Sequence, residues 1–132
     1  MNVIAIVQAR MGASRLPGKA LKFIPEGPPH RRALEHVVDR LKKCETLGEI
    51  MLATTTEPRD DVLVEVAAGL DIPVFRGSEP DVLERYVGAA RASGAEMVVR
   101  ITADCPLIDP GVVDRVARAL DQTYDFASNA IV

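Results

Sequence analysis

The segment Val3-Ile4-Ala5-Ile6-Val7-Gln8-Ala9-Arg10-Met11-Gly12-Ala13-Ser14-Arg15-Leu16-Pro17-Gly18-Lys19 joins two unlike kinds of sequence. Val3 to Val7 is an unbroken apolar run, the pattern of a strand buried on both faces. From Arg10 to Lys19 the chain carries three cations, two glycines, a serine and a proline. Glycine permits a tight turn and close approach of an anion to backbone N–H groups. Arginine presents a planar fork to phosphate oxygens, and lysine a mobile point charge. A loop of this composition directly after a buried strand suits a polyphosphate.

Spacing excludes two familiar phosphate loops. The Walker loop places four residues between its glycines and Ser or Thr after its lysine. Here five residues separate Gly12 from Gly18, and Ala20 follows Lys19. The dinucleotide fingerprint G-x-G-x-x-G is absent as well. A solvated basic loop is the plainer alternative. It leaves unexplained why cations and glycines crowd together at the end of a strand.

Outward from this loop the chain alternates between two periods. Pro25-Glu26-Gly27-Pro28-Pro29-His30-Arg31-Arg32 reads as a surface loop, since its prolines forbid regular structure. Leu34, Val37, Val38 and Leu41 keep the i, i+3, i+4, i+7 spacing of an amphipathic helix. Ile50 to Ala53 reads as a second strand running into Thr54-Thr55-Thr56. Leu63, Val66, Ala67 and Leu70 repeat the helical spacing behind Asp60 and Asp61. Pro73 to Phe75 is a short third strand ending at Arg76-Gly77. Ser78 is expected to cap the next helix, whose buried face is read as Val82, Leu83, Tyr86, Val87 and Ala90. Arg85 fits a surface or a core position equally. Met97 to Ile101 is a fourth strand, followed by Thr102-Ala103-Asp104-Cys105-Pro106. Asp109 and Pro110 open a helix built on Val113, Val116, Ala117 and Leu120, and Asp125 to Ala127 is expected to begin a fifth strand.

Such alternation implies an α/β fold, a mostly parallel sheet with helices on both faces. Every polar or glycine-bearing stretch falls just after a strand: Gln8 to Lys19, Thr54 to Thr56, Arg76 to Ser78, Thr102 to Pro106. In a parallel sheet those ends share one edge, where open α/β sheets bind ligands.

Length and composition narrow the classes. A chain of 132 residues fits one domain, residues 1–132, with a core of its own. A net charge of −3 makes the basic loop a local feature and argues against a nucleic-acid surface. No apolar run approaches membrane-span length. Cys44 and Cys105 lack metal-ligand spacing and read as reduced thiols, which with no signal segment points to a cytoplasmic protein.

The pattern A-R-x-G-x-S-R-L-P-G-K, residues 9–19, resembles the signature loop of the cytidylyltransferases that activate acidic sugars, the CMP-Kdo and CMP-sialic acid synthetases. The likeness is nearest to the spore-coat polysaccharide (SpsF-like) group, and Arg76 to Tyr86 matches that group too. Ala13 stands where the group often has a second serine. The resemblance implies a Rossmann-like, nucleotide-diphospho-sugar transferase-like fold and CTP and a small acidic sugar as partners. It implies nucleotide contacts from Gln8, Ala9, Arg10, Gly12, Ser14, Arg15, Lys19, Thr54 and Arg76, with Arg10, Lys19 and Asp104 serving the reaction. It implies Mg²⁺ at Asp104, although a carboxylate before Cys-Pro also reads as a turn residue. The likeness covers only the N-terminal half of a family member, so the chain is expected to be cut short and to work as a homo-oligomer or with a partner chain.

Overall fold

The computed structural model describes residues 2–12, 18–22, 31–103, 106–120 and 125–128. Among the described residues four strands form one parallel sheet: β1 (Val3–Gln8), β2 (Glu49–Thr55), β3 (Val74–Gly77) and β4 (Met97–Thr102), in the order β3-β2-β1-β4. The α-helices described between and after them are α1 (Ala33–Leu41), α2 (Asp61–Gly69), α3 (Val82–Ser93) and α4 (Pro110–Ala119).

Side chains of a strand alternate between faces, and β1 feeds two cores in this way. Ala5 and Val7 join Leu34, Val37, Val38 and Leu41 of α1, Leu63 and Ala67 of α2, and Val113 of α4. Ile4 and Ile6 join Met51, Ala53 and, from α3, Tyr86 and Ala89. Three helices therefore cover one face and α3 covers the other, as the alternation of periods implies.

Strand order fixes where a ligand belongs. The chain steps from β1 to β2 to β3 in one direction, then returns through α3 to place β4 on the far side of β1. The order reverses between β1 and β4, and the crevice beyond the carboxyl ends at such a reversal is the usual ligand site.

Three sequence expectations are corrected. Asp81, not Ser78, caps α3: its side chain accepts the Glu84 N–H at 2.9 Å, while Ser78 Oγ accepts only the longer contact from Asp81 N–H at 3.4 Å. The buried face of α3 is Arg85, Tyr86 and Ala89, whereas Val82, Leu83 and Val87 are exposed. Gly88 explains this rotation, because a Cβ there would collide with the Phe75 ring on β3. The helix turns its glycine to the sheet, and the flanking positions follow it inward. Residues 125–128 form no strand, and Phe126 is 77% exposed, so they add no partner to the outer edge of β4.

Asp109 caps α4 as expected, its carboxylate accepting the Gly111 N–H at 2.8 Å. A second acid fixes that helix to the body. Asp114 accepts from Glu45 N–H and Thr46 N–H, both at 3.0 Å, and from the Thr46 hydroxyl. The Thr46 hydroxyl bond, then the two backbone N–H bonds, hold its carboxyl below the ordinary carboxylate range against the opposing effect of desolvation.

Candidate nucleotide site

The four polar stretches converge where β1, β2, β3 and β4 end. Beyond Gln8, Ala9 N–H donates to Ala53 O at 3.1 Å, and Ala103 N–H donates to Gln8 O at 3.1 Å. These bonds extend the sheet by one step and hold the start of the basic loop beside the residue that precedes Asp104. Asp104 itself, with Ser14 and Arg15, lies outside the described residues.

The loop has a defined neck. Gly18 N–H donates to Met11 O at 3.0 Å, closing the backbone around the segment between them. Gly18 holds φ at +71°, the left-handed region that favours glycine. Lys19, half-buried, opens a short 3-10 turn, Lys19–Leu21. Arg10, also half-buried, donates through Nη1 to Gly12 O at 3.0 Å, so its guanidinium curls over its own loop.

One buried acid supports the neck from below. Asp60 is 0% exposed; Oδ1 accepts the Met11 N–H at 2.7 Å, and Oδ2 accepts the hydroxyl of Thr55, also fully buried. Thr55 Oγ1 in turn accepts the Glu57 N–H at 3.1 Å. The end of β2 and the turn before α2 thereby set the height of the loop after β1. Above them Arg59 lies so close to Gly12 that a Cβ there would stand 2.5 Å from Nη2. Arg59 Nη2 also reaches both carboxylate oxygens of Glu79, at 2.7 and 2.8 Å.

Two expected ligand contacts have other neighbours in this structure. Arg76 spends all three guanidinium nitrogens on protein: Nε on Thr55 O at 2.7 Å, Nη2 on Glu57 O at 2.9 Å and Nη1 on Asp61 Oδ1 at 2.8 Å. It ties the end of β3 to the turn before α2. Thr54 is wholly buried with its Oγ1 unpartnered, on the strand face it shares with Ile50 and Leu52.

Asp60, Arg59 and Arg85 enter the site without having been singled out for it. Asp60 reads as a helix-opening residue in sequence, with no motif to mark it. Arg85 carried a signal: a helix that buries Tyr86 and Ala89 also buries the position four before Ala89, on the same stripe. Arg85 is 0% exposed. Its pKa is lowered, first by burial and then by the like charge of Arg10.

Cys44 Sγ donates to Pro110 O at 3.7 Å, and its pKa is raised to about 11, chiefly by burial and then by Asp114. A thiol so placed is a packing group rather than a nucleophile. Among the described residues no three His, Cys, Asp or Glu side chains cluster as a metal site, and no helix is long and apolar enough to cross a membrane.

Comparison with known proteins agrees with this geometry. A family model described as cytidylyltransferase matches residues 4–132. The spore coat polysaccharide biosynthesis protein SpsF of Bacillus subtilis is 35% identical over 130 residues, covering 95% of this chain and 52% of that protein. A 3-deoxy-manno-octulosonate cytidylyltransferase of Geobacter sulfurreducens is 30% identical over 122 residues, covering 91% of this chain and 46% of that protein. The solved structure of a cytidylyltransferase from Leptospira borgpetersenii superimposes with a TM-score of 0.82 at 39% identity, over 91% of this chain and 49% of that one. The chain spans about half the length of the relatives it matches.

Proposed function

The chain belongs to the cytidylyltransferase family, and from that premise we propose that it binds CTP at the carboxyl ends of β1 and β4 and serves the transfer of CMP to a small acidic sugar. The observation that carries this reading is the closed neck between Met11 and Gly18, standing at the point where the strand order reverses. A cation-bearing loop fixed at that point is suited to a triphosphate.

In the proposed reaction a sugar hydroxyl oxygen attacks the α-phosphorus in line. The new P–O bond forms as the bond from the α-phosphorus to the bridging oxygen of the β-phosphate breaks, the hydroxyl proton passes to solvent water, and pyrophosphate leaves with the bridging oxygen. The contribution of this chain is position and charge. Arg10 and Lys19, with Ser14 and Arg15, hold the phosphates, and Gln8 and Ala9 form the floor beneath them. Thr54 and Arg76 shape the nucleotide side through the ends of β2 and β3. Gly12, lacking a side chain, lets the Arg59 guanidinium lie against the neck, where it adds a further cation for an anion.

Mg²⁺ fits the donor set if phosphate oxygens complete it. Mg²⁺ favours one or two carboxylates plus phosphate. Asp104 follows Ala103, whose N–H is bonded to Gln8 O beside the loop. Bound there, the ion supplies neutralisation of phosphate charge.

A second reading rests on the outer edge of β4. There an open groove of about 620 Å³ runs between α3 and α4, lined by Val87, Val98, Val112 and Val116 and bordered by exposed Phe126. An apolar face of that kind favours a second copy or a partner chain, and the chain then acts as a nucleotide-binding half. The family assignment and the fold suit a cytoplasmic enzyme that draws on the nucleotide pool.

Titration calorimetry with CTP, GTP and ATP, with and without Mg²⁺, tests the nucleotide. CTP is expected to bind more tightly than GTP and ATP, and more tightly still with Mg²⁺. Pyrophosphate release with a panel of sugar acids tests the transfer. Absence of CTP binding by folded protein would overturn the reading.

A further inference from the structure

Arg85 lies in the first turn of α3 with 0% exposure. Nε and Nη1 are buried without a hydrogen-bond partner, and among the described residues Nη2 donates to Glu79 O at 3.3 Å and to no other acceptor. A guanidinium has five N–H donors, so most of this group is unsatisfied. Buried charges are ordinarily paired, because desolvation costs more than an incomplete set of contacts returns.

The nearby acids are already engaged. Asp60 accepts from Met11 N–H and the Thr55 hydroxyl, and the Glu79 carboxylate is held by Arg59. Neither forms an ion pair with Arg85. Arg10 adds a like charge close enough to disfavour the Arg85 cation.

The position explains what is missing. The Arg85 stem passes the end of β3, where a Cβ on Gly77 would stand 3.0 Å from Arg85 Cγ. The guanidinium sits near the turn after β3 on one side and the basic loop after β1 on the other. We propose that Arg85 is a phosphate-binding residue of the nucleotide site, its Nε and Nη1 donating to phosphate oxygens that Arg10 approaches from the loop. This deepens the CTP reading and rests on it.

Access has a visible route. Glu79 touches Arg85 through its carbonyl and Arg59 through its carboxylate, and Arg59 lies against Gly12. The turn around Glu79 therefore joins the loop to the cover of Arg85. Its outer fastening is an ion pair whose Arg59 side chain is 53% exposed, and exposed pairs hold weakly. A phosphate arriving at Gly12 meets that fastening first, and its release frees the turn whose carbonyl holds Arg85 Nη2.

The test compares the parent chain with Arg85→Met and Arg85→Lys. Unfolding temperatures are measured without ligand, and affinities for CTP, GTP, inorganic tripolyphosphate and cytidine by calorimetry. Removing an uncompensated buried cation should leave the melting temperature of Arg85→Met equal to the parent or higher. Affinity for CTP and for tripolyphosphate should fall tenfold or more in that variant, with cytidine binding unchanged. Arg85→Lys keeps the charge and the fold but not the planar fork, and should also bind tripolyphosphate more weakly. A lowered melting temperature with parental tripolyphosphate affinity in either variant would show a packing role and overturn the proposal. Loss of cytidine affinity alone would assign the guanidinium to the base and overturn it equally. Arg85-dependent tripolyphosphate binding without preference for CTP over GTP leaves this inference standing and refutes the cytidylyl reading. A parent chain that binds no phosphate probe refutes both.

Discussion

Asp60→Ala should loosen the phosphate loop from outside it. The substitution removes the acceptor of two donors, the Met11 N–H and the Thr55 hydroxyl. Thr55 is fully buried, so its hydroxyl proton, left without an acceptor while Oγ1 still accepts the Glu57 N–H, incurs a desolvation penalty of about 1–3 kcal/mol. Met11 is half-buried, and water that reaches its N–H keeps that loss near 1 kcal/mol. Together the cost is about 2–4 kcal/mol, a large part of the 5–15 kcal/mol by which domains of this kind are typically stable. With a urea slope of about 1–2 kcal/mol per molar, the unfolding midpoint should fall by about 2 M. The neck between Met11 and Gly18 then lacks its floor, and CTP affinity should drop roughly tenfold, about 1.4 kcal/mol. Asp60→Asn keeps one oxygen for Met11 and should lose about half as much. Thr55→Val combined with Asp60→Ala removes both ends of the buried bond and should recover part of the stability. Urea unfolding and calorimetry read all of this. An Asp60→Ala variant within about 0.5 kcal/mol of the parent, with parental CTP affinity, would refute the reasoning.

Lys19→Ala should weaken CTP binding tenfold or more by calorimetry while leaving the urea midpoint unchanged, since Lys19 is outside both cores. Asp104→Asn should abolish the Mg²⁺ enhancement of CTP binding and spare metal-free binding; equal enhancement in variant and parent would make Asp104 a turn residue. Asp114, with its folded pKa depressed, contributes stability that is complete above the unfolded carboxylate pKa and lost as pH falls through the folded value. The stability gap between the parent and Asp114→Asn should therefore narrow below about pH 4; a gap that stays constant down to about pH 2 would contradict this. Phe126→Ser should shift light-scattering mass toward the monomer if the groove beside β4 is an interface; identical masses would count against it.

Much of this architecture was legible because two periodicities alternate without ambiguity. The runs at Val3 to Val7 and Met97 to Ile101, and the helical spacing from Leu34 to Leu41, each admit one reading. The gathering of four polar stretches at one sheet edge followed from parallel strands alone. The rotation of α3 was not legible, because Val82, Leu83, Tyr86 and Val87 form a credible apolar face. What turned the helix was contact between Gly88 and Phe75, residues distant in sequence. The roles of Asp60 and Arg85 were hidden for the same reason. Each is a charged residue on an element of ordinary pattern, and its meaning lies in partners supplied, or withheld, by other segments.

The central place of β1 also governs how the chain comes together. Its two neighbours arrive late: Ile4 pairs with Glu49, and Val3 with Met97. During synthesis β1 is made before both of its neighbours, and among the described strands it is the last to be flanked on both sides. Until residues 97–102 emerge, one edge of an apolar strand stays open to wrong partners. Pairings this remote in sequence also slow the search in a refolding tube. Protein made quickly and in quantity should lose more chains to aggregation through that waiting edge than its finished stability suggests, and slower synthesis at low temperature should return them.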